Sequence, residues 1–214
     1  MTDRGYRQWL GEKLGRRCIG NLNKHGFDAH FAADAEAART RALALAASCE
    51  SVGFGGSATT RTLGLPEAFR RMGRTVYDHW APPESMTDLD VRLAQGRCDG
   101  FFCSANAVSA TGEVVNVDGV GNRNNAMTFG CPKVVIIAGI NKVTPSLEAA
   151  LARIREIAAP MRAKSLGMET PCAETGYCSD CNAPQRICRI TTILHRKPMM
   201  TDVSVIIVNE ALGF

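Results

Sequence analysis

The chain has 214 residues, 25 basic against 21 acidic side chains, a net charge of +4 and an apolar fraction of 45%. At that length a single compact domain buries about 70% of the surface its unfolded form exposes, so the nine cysteines are not needed to staple a small core. Basic residues are interspersed with acids and aromatics are only 6%, which argues against a nucleic-acid binder with its concentrated basic stripe.

The opening MTDRGYRQWLGEKLGRR holds no apolar run, so no signal peptide is expected. No stretch approaches the roughly 20 apolar residues of a membrane span. A cytoplasmic setting follows as the expectation. Thiols stay reduced there, and an odd number of cysteines also speaks against disulfides.

Residues 5–24 read as a helix with Trp9, Leu10, Leu14 and Leu22 as its apolar residues, weakened by Gly11, Gly15 and Gly20. A short strand at Asp28–Phe31 follows. Asp34 caps a second helix in which Ala38, Ala42, Leu45 and Cys49 recur at helical spacing, so Cys49 reads as packed rather than reactive. Ser51–Ser57 then reads as a strand entering a glycine turn and a helix opened by Ser57. Gly55, Gly56, Ser57 and Thr59 are candidates for holding an anion through free backbone N–H groups. A tight turn needing small residues explains the same pattern, and neither the P-loop nor the dinucleotide fingerprint is present.

Thr75–Trp80 alternates as a strand until Pro82-Pro83. Ser85 and Asp88 have the spacing of a capping pair. His79 beside Asp78 is a pair that could relay protons, but a lone histidine at a strand end is usually structural, and His79 reads so. The densest polar stretch is CSANAVSATGEVVNVDGVGNRNN, from Cys103 to Asn125. Phe101–Cys103 reads as a buried strand, Thr111-Gly112 as a turn, Glu113–Asp118 as a second strand and Asn122–Asn125 as a helix opening. Amides, carboxylates and a guanidinium gather where strands end, which is where open α/β sheets bind ligands. Asn and Gly are good turn residues, but Arg123 and two acids are unnecessary for turns, which favours a site. Glu113 and Asp118 are the candidate acid or base, with Asn106 beside them. Asn116, Asn122, Arg123 and Lys142 are the candidate substrate contacts.

Lys133–Gly139 (KVVIIAG) has the continuous apolar run of a strand covered on both faces. Thr144-Pro145 reads as a helix start, and Pro160 as its end. Val203–Val208 is a last buried strand. Strands alternating with helices predict an α/β fold with a parallel or mixed sheet.

Before that strand lies PCAETGYCSDCNAPQRIC. Cys172, Cys178, Cys181 and Cys188 are spaced C-x5-C-x2-C-x6-C in a stretch that reads as a loop, too poor in apolar residues to order itself by burial. Three readings compete: an iron–sulfur cluster (4Fe–4S), a structural zinc, or disulfides or plain thiols. One C-x2-C knuckle with two wide arms favours the cluster over a zinc ribbon.

The segments GFGGSATTRTLGL, SANAVSATGEVVNVDGVGNRNNAM, CPKVVIIAGINKV and VIIVNEALGF resemble the lactate-utilisation (LUD) domain family, the LutC-like proteins. The cysteine stretch is similar to that of standalone members carrying such a motif. The resemblance implies one α/β domain over 1–214 of the sugar-phosphate-isomerase and CoA-transferase type. The cysteine-rich segment 160–198 would be a cluster-binding insertion ahead of the last strand. It implies oxidation or other metabolism of lactate or a related carboxylate, as an iron–sulfur-dependent oxidoreductase subunit. A non-redox isomerase or CoA-transferase with a structural metal, or an accessory electron-transfer or regulatory subunit, are the alternatives. The methylthioribose-phosphate isomerases are similar in this region but carry an acid where Asn106 stands, and an amide cannot take up that proton. The expected partners are a small carboxylate or phosphorylated substrate and a redox protein, with a homodimer as a further assembly this reading allows.

Overall fold

The computed structural model of the protein describes residues 2–214. Its strands in chain order are β1 (Asp28–Ala32), β2 (Ser51–Phe54), β3 (Thr75–Asp78), β4 (Gly100–Cys103), β5 (Ala107–Ser109), β6 (Val114–Asp118), β7 (Lys133–Gly139), β8 (Val143–Thr144), β9 (Ile190–Leu194) and β10 (Asp202–Val208). Six form an all-parallel sheet in the order β1-β10-β7-β4-β2-β3. The other four form a small mixed sheet in the order β8-β5-β6-β9.

Parallel strands need long crossovers, and here helices supply them on both faces. The apolar run of β7 divides by its two-residue period. Val134, Ile136 and Ala138 face one core with Cys18 and Leu22 of α1 (Asp3–Lys24). Val135 and Ile137 face the other, with Ala38 and Ala42 of α2 (Ala35–Leu45). That second core also takes Phe69 of α4 (Leu65–Arg71), which meets the Phe102 ring at 5.0 Å between centroids. Between β2 and α4 lies one short helix, α3 (Ala58–Thr62), whose N-cap Ser57 accepts from the Thr60 N–H.

Several details differ from the expected pattern, each for a local reason. The glycines of α1 do not merely weaken it. A Cβ at Gly11 would come 2.4 Å from Asn209 Oδ1, and one at Gly15 2.7 Å from the Phe31 ring, so their smallness lets the helix lie close to the sheet. Trp9 and Leu10 are on its exposed side. Helix α5 (Asp88–Gln95) is capped by Thr87 and Asp90 rather than by Ser85 and Asp88, in a reciprocal box. Thr144 belongs to β8, and Ser146 caps α7 (Leu147–Arg153). Pro160 does not end that helix. A π turn at Ile154–Ala158, in which the Ala159 N–H reaches Ile154 O, admits the proline into α8 (Ala159–Ser165).

The cysteine-rich segment also departs from expectation. Pro171–Thr175 forms a short helix, α9, that carries Cys172, so the segment is not loop throughout. Strand β9 then follows it directly, so the segment precedes the next-to-last strand rather than the last. The polar TT pair inside Ile190–Leu194 hid that strand. No helix among the described residues is long and apolar enough to cross a membrane.

Candidate functional site

The carboxyl ends of β2, β3, β4, β6 and β7 open onto one cavity of about 330 Å3. The segment after each strand supplies its lining: Gly56–Ala58, His79-Trp80, Ser104–Asn106, Gly119 and Lys142. Helix α6 (Asn122–Thr128), α8 and the cysteine segment close it. That volume suits a small metabolite.

Arg123 is the hub of one wall. Its Nη2 donates to Val117 O at 2.6 Å, Asp118 Oδ1 at 2.8 Å and Asn106 Oδ1 at 3.3 Å. Asn106 Oδ1 also accepts from the Val117 N–H at 2.8 Å, so this amide sits in a fixed place against β6. Asp118 Oδ2 accepts from the Asn124 N–H at 3.0 Å. The Arg123 and Asp118 side chains are only 12% and 13% exposed, and Arg123 Nε, fully buried, has no protein partner. A guanidinium this well held recognises a carboxylate or phosphate with little ordering cost.

The opposite wall is organised by Gln95, which is fully buried at the end of α5. Its Nε2 is placed by two backbone carbonyls, Phe54 O at 2.8 Å and Tyr77 O at 3.2 Å, and meets His79 Nδ1 at 2.9 Å. An amide nitrogen only donates, so His79 Nδ1 accepts and the ring's proton resides on Nε2. Burial, and then the Arg92 charge, hold the His79 imidazole below its ordinary pKa, which keeps it neutral. Gln95 Oε1 in turn accepts from Asn122 Nδ2 at 3.0 Å, and Asn122 Oδ1 accepts from Arg92 at 3.2 Å. His79 Nε2 lies near Gly56, where a Cβ would be 3.4 Å away. His79 is thus a neutral N–H donor on the cavity wall. Beside it the Trp80 ring carries two guanidinium groups, Arg61 at 4.1 Å and Arg162 at 4.8 Å from its centroid. Arg61 is anchored by the fully buried Asp78 at 2.5 Å.

Lys142 lies in the 3-10 turn that ends β7 and is 4% exposed. Its Nζ donates to Ser104 Oγ at 2.9 Å and Thr59 Oγ1 at 3.1 Å. Burial, then the Arg153 and Arg123 charges, push its amine down to about 7. The segment Leu212–Phe214 covers it, with Thr59 Oγ1 donating to Leu212 O at 3.3 Å.

The cysteine segment forms the rim. Strand β9 pairs with β6 so that Ile190 lies opposite Asp118, and the Arg189 N–H donates to Asp118 O at 2.9 Å. A Cβ at Gly119 would come 3.2 Å from Ile187 O. This ladder brings Cys188 to the cavity lining. The backbone of the segment is tied by arginines: Arg186 donates to Cys181 O at 2.5 Å and Cys188 O at 2.8 Å, and Arg189 to Pro184 O at 2.8 Å. Between residues 178 and 188, among the described residues, only the Arg186 N–H donates to another backbone carbonyl. All four cysteines are unpaired and half-buried, whereas the other five are buried. Unpaired, accessible thiols on a flexibly spaced, hydrogen-bond-poor segment fit a thiolate-held centre in kind. Among the described residues no three Cys, His, Asp or Glu side chains are already gathered around one metal position.

Of the candidate residues, Asn106, Asp118, Asn122, Arg123 and Lys142 come together on this cavity with Gly56, Ser57 and Cys188. Thr59 stands one step behind, as the partner of Lys142. Gly55 packs against Phe101, Cys103 and Arg123, and helix α3 is too short to offer an extended anion site. Asn116 is fully buried, accepting from the Asn106 N–H at 3.0 Å, and so positions Asn106 rather than facing the cavity. Glu113 is not with the others. It precedes β6 at the end away from Asp118, roughly 16 Å along a strand, and accepts from Thr111 Oγ1 at 2.6 Å. Cys172, Cys178 and Cys181 are farther along the rim and do not line the cavity.

His79 reads from sequence as structural, and Gln95, Arg92 and Arg162 carry no sequence signal of a site. Nothing local marks them, because they meet only through the strand order. The Asp78-His79 pair at a strand end was the available signal.

The sequence profile of the LUD domain family matches residues 15–208. The chain is also similar in fold to a solved DUF162 family protein from Deinococcus radiodurans. The TM-score is 0.53 at 12% identity, covering 92% of this chain and 98% of that one. No curated protein matches it. With its match running through nearly the whole α/β domain described above, the chain belongs to the LUD domain family.

Proposed function

We propose that the protein binds a small carboxylate or phosphorylated metabolite in this cavity, beside an iron–sulfur cluster carried by Cys172, Cys178, Cys181 and Cys188. The activity proposed is oxidation of lactate or a related 2-hydroxy acid. The carrying observation is one of charge and placement. Arg92, Arg123 and Arg162 line the cavity with a single acidic side chain, Asp118, already paired to Arg123, and Cys188 lines the same space. An anion is the complement such a site lacks.

Each wall has a distinct task. Arg123, fixed by Val117 O and Asp118, orients the anionic group. His79, its tautomer set by Gln95, donates from Nε2 to a substrate oxygen. Trp80 and the Leu212–Phe214 segment narrow the access of water. A bound 4Fe–4S cluster supplies one-electron transfer or a binding site for a substrate oxygen.

Anaerobic reconstitution with iron and sulfide, followed by metal and sulfide analysis, tests the cluster. About four iron and four sulfide per chain are expected, with loss in Cys178→Ser. Zinc without sulfide, or neither, overturns that half. Calorimetry with lactate, pyruvate and inorganic phosphate tests the cavity. Absence of binding by all three, or binding unchanged in Arg162→Ala, overturns the other half.

A further inference from the structure

Lys142 has no counter-charge. Among the described residues no carboxylate lies within ion-pair distance of its Nζ, and the acid of this cavity, Asp118, is taken by Arg123. Its bonded partners are two neutral hydroxyls, Ser104 and Thr59, and the charges around it are the cations Arg153 and Arg123. Buried lysines kept as ammonium are normally paired, because an unpaired buried charge is costly. An amine among hydroxyls and cations carries that cost only until it loses its proton. Arg153 is fixed as a like charge there, donating to Asn106 O at 2.6 Å and Asn141 O at 2.9 Å.

Placement suits chemistry as well. Lys142 follows the central strand β7 and lines the cavity beside Ser104 and Asn106. The chain is shaped to cover it. Gly213 takes a left-handed conformation (φ +62°), and a Cβ there would come 2.8 Å from Thr59 Oγ1 and 3.2 Å from Lys142 Nζ. Only a glycine lets this segment lie directly over the amine. A desolvated amine under a cover, with its lone pair available, is a nucleophile toward carbonyl carbon.

We propose that Lys142 forms an imine with a small carbonyl compound bearing an anionic group, a 2-oxo acid or a phosphorylated ketone, bound in this cavity. The inference rests on the anionic-cavity reading above and narrows its substrate class. The neutral amine adds to the carbonyl carbon. A C–N bond forms, the C–O π pair moves to oxygen, and that oxygen takes the proton released from nitrogen. A second proton then converts the hydroxyl to water, which leaves as the nitrogen lone pair forms the C=N bond. Amine, carbonyl and one proton taken up from solvent become protonated imine and water, with no oxidant or reductant consumed. Ser104 Oγ, 2.9 Å from Nζ, is placed to pass the proton between nitrogen and oxygen. Arg123 and Arg162 hold the carboxylate or phosphate.

The test is trapping. The full chain is incubated at pH 7 with pyruvate, glyoxylate or dihydroxyacetone phosphate, reduced with borohydride, and mapped by peptide mass spectrometry. One adduct per chain on Lys142 is expected, at about a hundred-fold the level on exposed Lys13, Lys24 or Lys164, and absent in Lys142→Arg with its thermal transition kept. The 2-oxo acids and the phosphorylated ketone separate the two sources of the anionic group. Uniform labelling of surface lysines, or no adduct with any probe while calorimetry shows binding, overturns the imine and leaves the anion site standing. No binding by any probe removes both readings.

Discussion

On the wall of the cavity, Arg123, Asn106, Asp118 and Gln95 are each held by two or more hydrogen bonds, with Asp118 at the end of β6, Asn106 just after β4, Gln95 at the end of α5 and Arg123 in α6. On the rim, the cysteine segment buries almost nothing, and arginine side chains hold its carbonyls from outside. The wall is complete before any ligand arrives. The rim is a set of unpaired thiols and mostly unpaired backbone donors that waits for something to order it. Preorganisation lowers the cost of binding at the first, and a bound centre would contribute the ordering at the second.

The largest contrast lies in thiol reactivity. In the native protein four thiols should react quickly with a disulfide reagent, and the buried five about a thousand-fold more slowly. Burial pushes Cys103 and Cys18 up to about 12, which suppresses their thiolates further. More than four fast thiols, counted against the nine released by denaturant, would break the distinction.

A smaller effect separates two arginines. Arg123→Ala should weaken phosphate or lactate binding about a hundred-fold and cost about 2–3 kcal/mol of stability, since it strands Asp118 at 13% exposure. Arg186→Ala should leave both nearly unchanged while quickening the reaction of Cys181 and Cys188. Calorimetry and urea unfolding of the two variants read these outcomes. Equal losses in both would mean that wall and rim are one unit.

The smallest effect is in pH. Lys142 sits below the usual lysine value, so between pH 7 and about 10 the unfolded chain binds more protons and stability rises with pH. Raised buried thiols act oppositely, but only above about pH 8.5. Arg153, Arg123 and Cys103 are the charged or titratable groups around the amine, and neither guanidinium titrates in this window. From pH 7 to 8.5 the wild type should gain about 1–2 kcal/mol relative to Lys142→Met, by denaturant unfolding. A flat difference would mean that the amine is charged in the fold.

What the sequence revealed follows from how local its cause is. KVVIIAG declares a two-faced strand by itself, and β7 matches it residue for residue. Asp34 caps its helix because the cap lies three residues from its partner. The small mixed sheet was hidden, since β5 and β8 have three and two residues and β9 carries two threonines. Glu113 was grouped with Asp118 because they are near in sequence, yet a strand separates its two ends. His79 and Gln95 show the reverse, 16 residues apart and joined only when β3 and β2 pair beneath α5. The meaning of Gly11 and Gly15 was equally remote, residing in Asn209 and Phe31.

Strand β10 has a bearing on how the molecule is made. It fills the gap between β1 and β7, pairing Asp28 with Ser204 and Val134 with Val203, although it comes after every other strand of this domain in the chain. Until then two unzipped edges of the growing sheet stand open, a hazard for sticking to other chains. The sheet thus closes by inserting a wedge. A nascent chain stalled before residue 202 should depend on chaperones far more than the finished one.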